Sequence, residues 1–138
     1  MDKTVPFPMP RHRPECEVVI LRPLEHPRQD MPLVAHAFAD RSQREAEDML
    51  CAILEGIADW LDLLQQGLAA GNHGMIGKPA RRIALVAGQI GLTDVAIAAD
   101  HVVQCATRGD RHALAATIGR LERAFDIAVT KVWDFRDP

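Results

Sequence analysis

The side chains able to do chemistry in this sequence are few and scattered. His101 has Asp94, Asp100 and Cys105 as near neighbours along the chain. An imidazole so placed can take a phosphoryl group on a ring nitrogen or supply half of a metal site. A surface histidine beside carboxylates is ordinarily just solvated, and we read His101 so. His73 stands in the stretch GNHGMIG, with no second ligand in view. That stretch has neither the Lys-Ser/Thr pair of a phosphate-binding loop nor a strand before it, so it reads as a flexible helix connector. Cys16, Cys51 and Cys105 are odd in number and far apart. No Cys-x-x-Cys or Cys/His spacing accompanies them, which argues against a zinc site or disulfide framework and for free, mostly buried thiols. Cys51 and Cys105 also lack the adjacent His or basic cluster that would make either a nucleophile. Asp59 and Asp62 fall on the polar side of a helix, where carboxylates are normally solvated. No catalytic residue, metal or cofactor is expected, and the chain does not read as an enzyme.

Composition and periodicity define the elements that must position these residues. The chain has 138 residues, 48% apolar and 25% charged, which is one domain's worth of ordinary globular composition. Aromatics reach only 4% and tyrosine is absent. Ala, Leu, Ile and Val must therefore fill the core, which suits closely packed helices. The net charge of −3 argues against nucleic acid as a partner, because neutralising phosphates takes a concentrated basic surface. No apolar run is long enough to span a membrane. The opening MDKTVPFPMPRHRPE lacks the apolar stretch of a secretory signal, so a cytoplasmic location is expected.

Seven of the nine prolines fall in the first 32 residues. Proline removes a backbone donor and restricts the residue before it, so residues 1–40 read as a proline-rich N-terminal arm. Within it, 18–21 suits a short extended piece and 31–39 a short helix capped by Asp30. The periodic part, 41–138, opens with Ser42 and Glu45 at capping-box spacing. Met49, Ile53, Ile57, Leu61, Leu64 and Leu68 then recur at three- and four-residue steps, predicting a helix over 42–70 that stops at Gly71. Gly56 inside it reads as a close helix contact. The next helix starts near Lys78 with Pro79 in its first turn, buries Ala80, Ile83, Ala87 and Ile90, and is interrupted at Gly91. A third buries Val95, Ala99, Val102 and Ala106 and ends at Gly109. Asp110 caps a last helix whose stripe is Leu114, Ile118, Leu121, Phe125, Val129 and Val132. Trp133 and Phe135 are expected to pack within the domain, over the bundle end or against the arm; the alternative is that they anchor a partner helix. Four amphipathic helices on short loops predict an all-α, up-and-down antiparallel four-helix bundle with a proline-rich N-terminal extension.

The order and spacing of these pieces resemble the histidine-containing phosphotransfer (HPt) domain of bacterial phosphorelays. That family shows an LAAGD-like turn, a helix with a motif of the form AHxLKGSAxxLGA, a helix ending in LExAxxxGD, and a long closing helix. Here LAAGN at 68–72 matches the first turn, and IGLTDVAIAADHVVQCATRGD at 90–110 fits the LGA-to-GD segment without a gap. The resemblance runs from about residue 42 to the C-terminus and leaves the arm outside. It places Arg81, preceded by Ala80, at the position of the phospho-accepting histidine. Ala84 stands at the family's lysine position and Leu85 at its glycine position. Arginine stays protonated and cannot take a phosphoryl group as an imidazole nitrogen does, so transfer through the usual site is excluded.

On a helical wheel, the face opposite Ile83, Ala87 and Ile90 carries Lys78, Arg81, Leu85 and Gln89, with Arg82 at its edge. The resemblance implies that this face meets a response-regulator receiver domain or a histidine kinase. A receiver presents acidic side chains around its phosphorylatable aspartate, and a basic face with an apolar centre suits them. The expected function is a pseudo-phosphotransferase: a non-catalytic adaptor or inhibitor in two-component phosphorelay signal transduction. Two alternatives stand beside it. One is an active phosphotransfer protein that uses His101. The other is a structural bundle that buries an apolar surface around Leu85 or Ile97 in a homodimer.

Overall fold

A computed structural model describes residues 41–134, apart from the side chains of Trp133 and Asp134. The proline-rich arm with its extended piece and short helix, Cys16, and the side chains of Trp133 and Phe135 lie outside the described residues. The described chain is all-α: α1 (Gln43–Ala69), α2 (Gly77–Gln89), α3 (Thr93–Arg108) and α4 (Arg111–Asp134), with a 3-10 turn at His73–Met75 before α2. Each helix packs on the next, and α1 also meets α4, where Gln65 Nε2 donates to Glu122 Oε1. None of these helices is long and apolar enough to cross a membrane.

Helix ends are fixed by local chemistry. Ser42 is the N-cap of α1, its hydroxyl accepting from the Glu45 N–H at 3.3 Å. Asp110 Oδ1 accepts from the Ala113 N–H at 3.1 Å and caps α4 in the same way. The first three helices end alike. Gly71, Gly91 and Gly109 take positive φ of 66°, 83° and 68°, a region in which only glycine escapes a Cβ clash. In each case the residue after the glycine donates five residues back: Asn72 to Gly67, Leu92 to Ala87 and Asp110 to Cys105. This is the Schellman arrangement, which satisfies carbonyls the helix leaves orphaned. Pro79 is the third residue of α2, where its missing N–H has no intrahelical acceptor to lose. The first closing bond comes one residue later, from Ala80 to the Ile76 carbonyl at 3.2 Å.

The core is aliphatic, as the scarcity of aromatics requires. Leu54, Ile57, Leu61, Leu64, Ile83, Val95, Val102, Leu114, Ile118 and Leu121 are buried, with Phe125 the one aromatic among them. Five alanines (Ala80, Ala87, Ala98, Ala99 and Ala128) are buried as well, and so small a side chain lets helix axes approach closely. Among the described residues no polar or charged side chain is buried. The expected stripes need adjustment at their edges. Met49, Ile53, Leu68, Ala106, Val129 and Val132 are half-buried rather than buried, and on α1 Leu54 takes the inward position beside Ile53.

Two corrections concern glycine and the first connector. A Cβ on Gly56 would meet nothing within 4 Å, so Gly56 is not a close contact. Gly67 is: a Cβ there would lie 3.0 Å from Ile76 Cγ1 and 3.4 Å from the Asn72 carbonyl oxygen. The GNHGMIG stretch is not featureless either. It turns through the 3-10 segment, and Ile76 enters the core with no exposed surface. Gly67 and Ile76 form one joint, in which the missing side chain makes room for the isoleucine that ties the connector down.

Candidate functional site

Helix α2 reads GKPARRIALVAGQ. Its inward residues are Ala80, Ile83 and Ala87, spaced so that one stripe meets the neighbouring helices. The remaining spacing sends Lys78, Arg81, Arg82, Leu85 and Gln89 outward, and all five are exposed. At 3.6 residues per turn they share about 100° of the helix circumference, opposite the buried stripe. The residues singled out from sequence therefore lie on one surface.

The electrostatics of this face are one-sided. α2 carries three cations and no carboxylate, and its first turn has no acidic residue. Lys78 stands at i−3 from Arg81 and i−4 from Arg82, the spacings at which like charges on a helix repel. Lys78 also sits in the first turn, where the helix dipole already favours negative charge. Leu85 breaks the usual surface pattern in the other direction, since 63% of it remains exposed. A compact cationic surface around a wetted leucine can attract an anionic, partly apolar partner and has no group able to accept a phosphoryl. Ala84, at the family's lysine position, is partly buried against the core.

The other candidates stay apart. His101 is half-exposed on α3 and His73 half-exposed in the 3-10 turn. Cys51 and Cys105 are free thiols of intermediate burial, less buried than expected. Among the described residues no three or more His, Cys, Asp or Glu side chains are grouped so as to hold a metal ion.

A second face was only half read from sequence, which placed Asp59 and Asp62 on the polar side of a helix without joining them to their neighbours. On α1, Glu55, Asp59, Asp62 and Gln66 are exposed, and Leu63 among them is 39% exposed. The available signal was the three- and four-residue spacing of those carboxylates, with a leucine set outside the apolar stripe. Ile97 on α3 is also exposed, at 43%. In class, the described part of this chain is all-helical, with an exposed cationic face on a short helix. No protein-family model, curated protein or solved structure matches it.

Proposed function

We propose that this chain is a degenerate HPt domain, a non-catalytic cytoplasmic adaptor or inhibitor that docks a receiver or histidine kinase domain of a bacterial phosphorelay. The observation that carries the reading is the α2 face. Where the resemblance calls for an exposed histidine, Arg81 is exposed, flanked by Lys78, Arg82 and the uncovered Leu85. An up-and-down antiparallel four-helix bundle belongs to the same proposal. It is supported by short connectors and by contacts that run from each helix to the next and from α1 back to α4.

Docking needs no chemistry from this chain. Guanidinium groups make charge-assisted, often bidentate bonds to carboxylates, and Leu85 supplies apolar area at the centre, where an interface is driest. Binding without accepting phosphate would make the protein a competitor of genuine relay partners.

Reversing both arginines, Arg81→Glu with Arg82→Glu, should abolish receiver binding in a titration. The fold should survive and gain a few tenths of a kcal/mol, because two repulsive pairs with Lys78 disappear. Retained affinity in the folded double variant would reject this surface. Two other readings keep a specific observation each. His101 is half-exposed on α3, as a phospho-acceptor must be. Leu85 and Ile97 are both exposed, as an oligomer interface would need.

A further inference from the structure

We propose that a second copy of this chain occupies the basic face of α2, using the outer face of its own α1. The inference rests on α2 being a docking face, though not on the partner being a phosphorelay protein.

The charges of the two helices are opposite and each is concentrated. α1 carries six carboxylates against one arginine, Arg44, whereas α2 carries three cations and no carboxylate. Three of the six carboxylates of α1 share one face from the middle of the helix onward. Glu55, Asp59, Asp62 and Gln66 are all exposed and follow one another at three- and four-residue steps, opposite the buried Leu54, Ile57, Leu61 and Leu64. The α2 face from Lys78 to Gln89 and the α1 face from Glu55 to Gln66 each span eleven residue steps, roughly 16 Å of helix.

Each face also holds one misplaced leucine, Leu63 at 39% exposure on α1 and Leu85 at 63% on α2. An acidic stripe alone is an ordinary solvated surface. An acidic stripe with an exposed leucine, equal in length and opposite in sign to a basic stripe with an exposed leucine on the same chain, is complementary to a second copy. In a two-fold pair the contact is made twice, α1 on the partner's α2 and α2 on the partner's α1, and so closes without leaving an open end. Because the same α2 face serves the proposed receiver, self-association and receiver docking exclude each other. The paired form is a store from which an acidic partner must extract the monomer.

Sedimentation velocity on the full chain tests this. The expected result is a reversible dimer that grows with concentration and weakens as NaCl is raised, as partly exposed ion pairs do. Asp59→Lys with Asp62→Lys gives two basic faces, and Arg81→Glu with Arg82→Glu gives two acidic ones. Each variant alone should sediment as a monomer with a wild-type circular dichroism spectrum. Mixed in equal amounts they should dimerise, because every face again meets its opposite. A wild-type monomer at all concentrations overturns the inference, and so does a wild-type dimer whose reversed variants remain monomeric when mixed. The aspartate variant leaves α2 intact, so its receiver binding reports on the docking proposal separately. Binding by that variant alongside a monomeric wild type would sink only the inference. A dimer restored by mixing, with no receiver binding by any form, would sink only the phosphorelay reading.

Discussion

A guanidinium at position 81 cannot do what an imidazole does there. Its nitrogens are all donors and its charge persists through the physiological range, so no proton is released to leave a nucleophilic lone pair. The neighbouring positions depart from the resemblance as well. Ala84 is packed where the resemblance calls for a lysine, and Leu85 stands out into solvent where it calls for glycine. If the site is a degenerate phosphotransfer centre, restoring its parts should restore some of its chemistry. Arg81→His, Ala84→Lys and Leu85→Gly in one chain should yield acid-labile phosphate when mixed with a phosphorylated receiver. Glycine at an exposed helix position costs about 1 kcal/mol, and a lysine at half-buried position 84 can lay its stem on the surface and carry its ammonium to water, so the variant should still fold. A folded triple variant that binds a receiver but gains no phosphate would count against the positional match.

The helices teach a different lesson. Their stops were legible because Gly71, Gly91 and Gly109 are each the one residue type that tolerates the backbone turn they make. The caps were legible for a similar reason, since Ser42 and Asp110 each bring an oxygen to an orphan N–H. What escaped depends on distance between elements. Nothing in the local sequence distinguishes Gly56 from Gly67, yet only Gly67 lies against Ile76. Nor does periodicity reveal Ile76, which falls in a connector and is still wholly buried. The two glycines therefore make opposed predictions. Gly56→Ala should raise unfolding free energy by up to about 1 kcal/mol through helix propensity alone. Gly67→Ala should lower it by roughly 1 kcal/mol, because the new methyl presses on a buried side chain by more than propensity returns. Urea denaturation of both variants would check the signs. The α2 face was readable for its own reason: an amphipathic helix of 13 residues with three cations leaves little choice about which side is wet.

Across the whole molecule, charge is separated rather than balanced. A net of −3 conceals an acidic α1 beside a basic α2, and that separation went unread because a summed charge carries no positions. On the proposed reading, it would let an anionic partner dock on a chain that is itself an anion. Association would be steered by the local field of α2 and should slow as salt is added. The proposed partner is acidic around an apolar patch, as a receiver domain is.

The most direct measurement mixes the purified chain with phosphorylated receiver domains from its own organism, following binding by titration and phosphate on histidine by acid lability. The expected result is saturable binding that is lost in the Arg81→Glu, Arg82→Glu variant, with no phosphate on this chain. Acid-labile phosphate that disappears in a His101→Ala variant would contradict it and make the protein an active carrier through a relocated histidine.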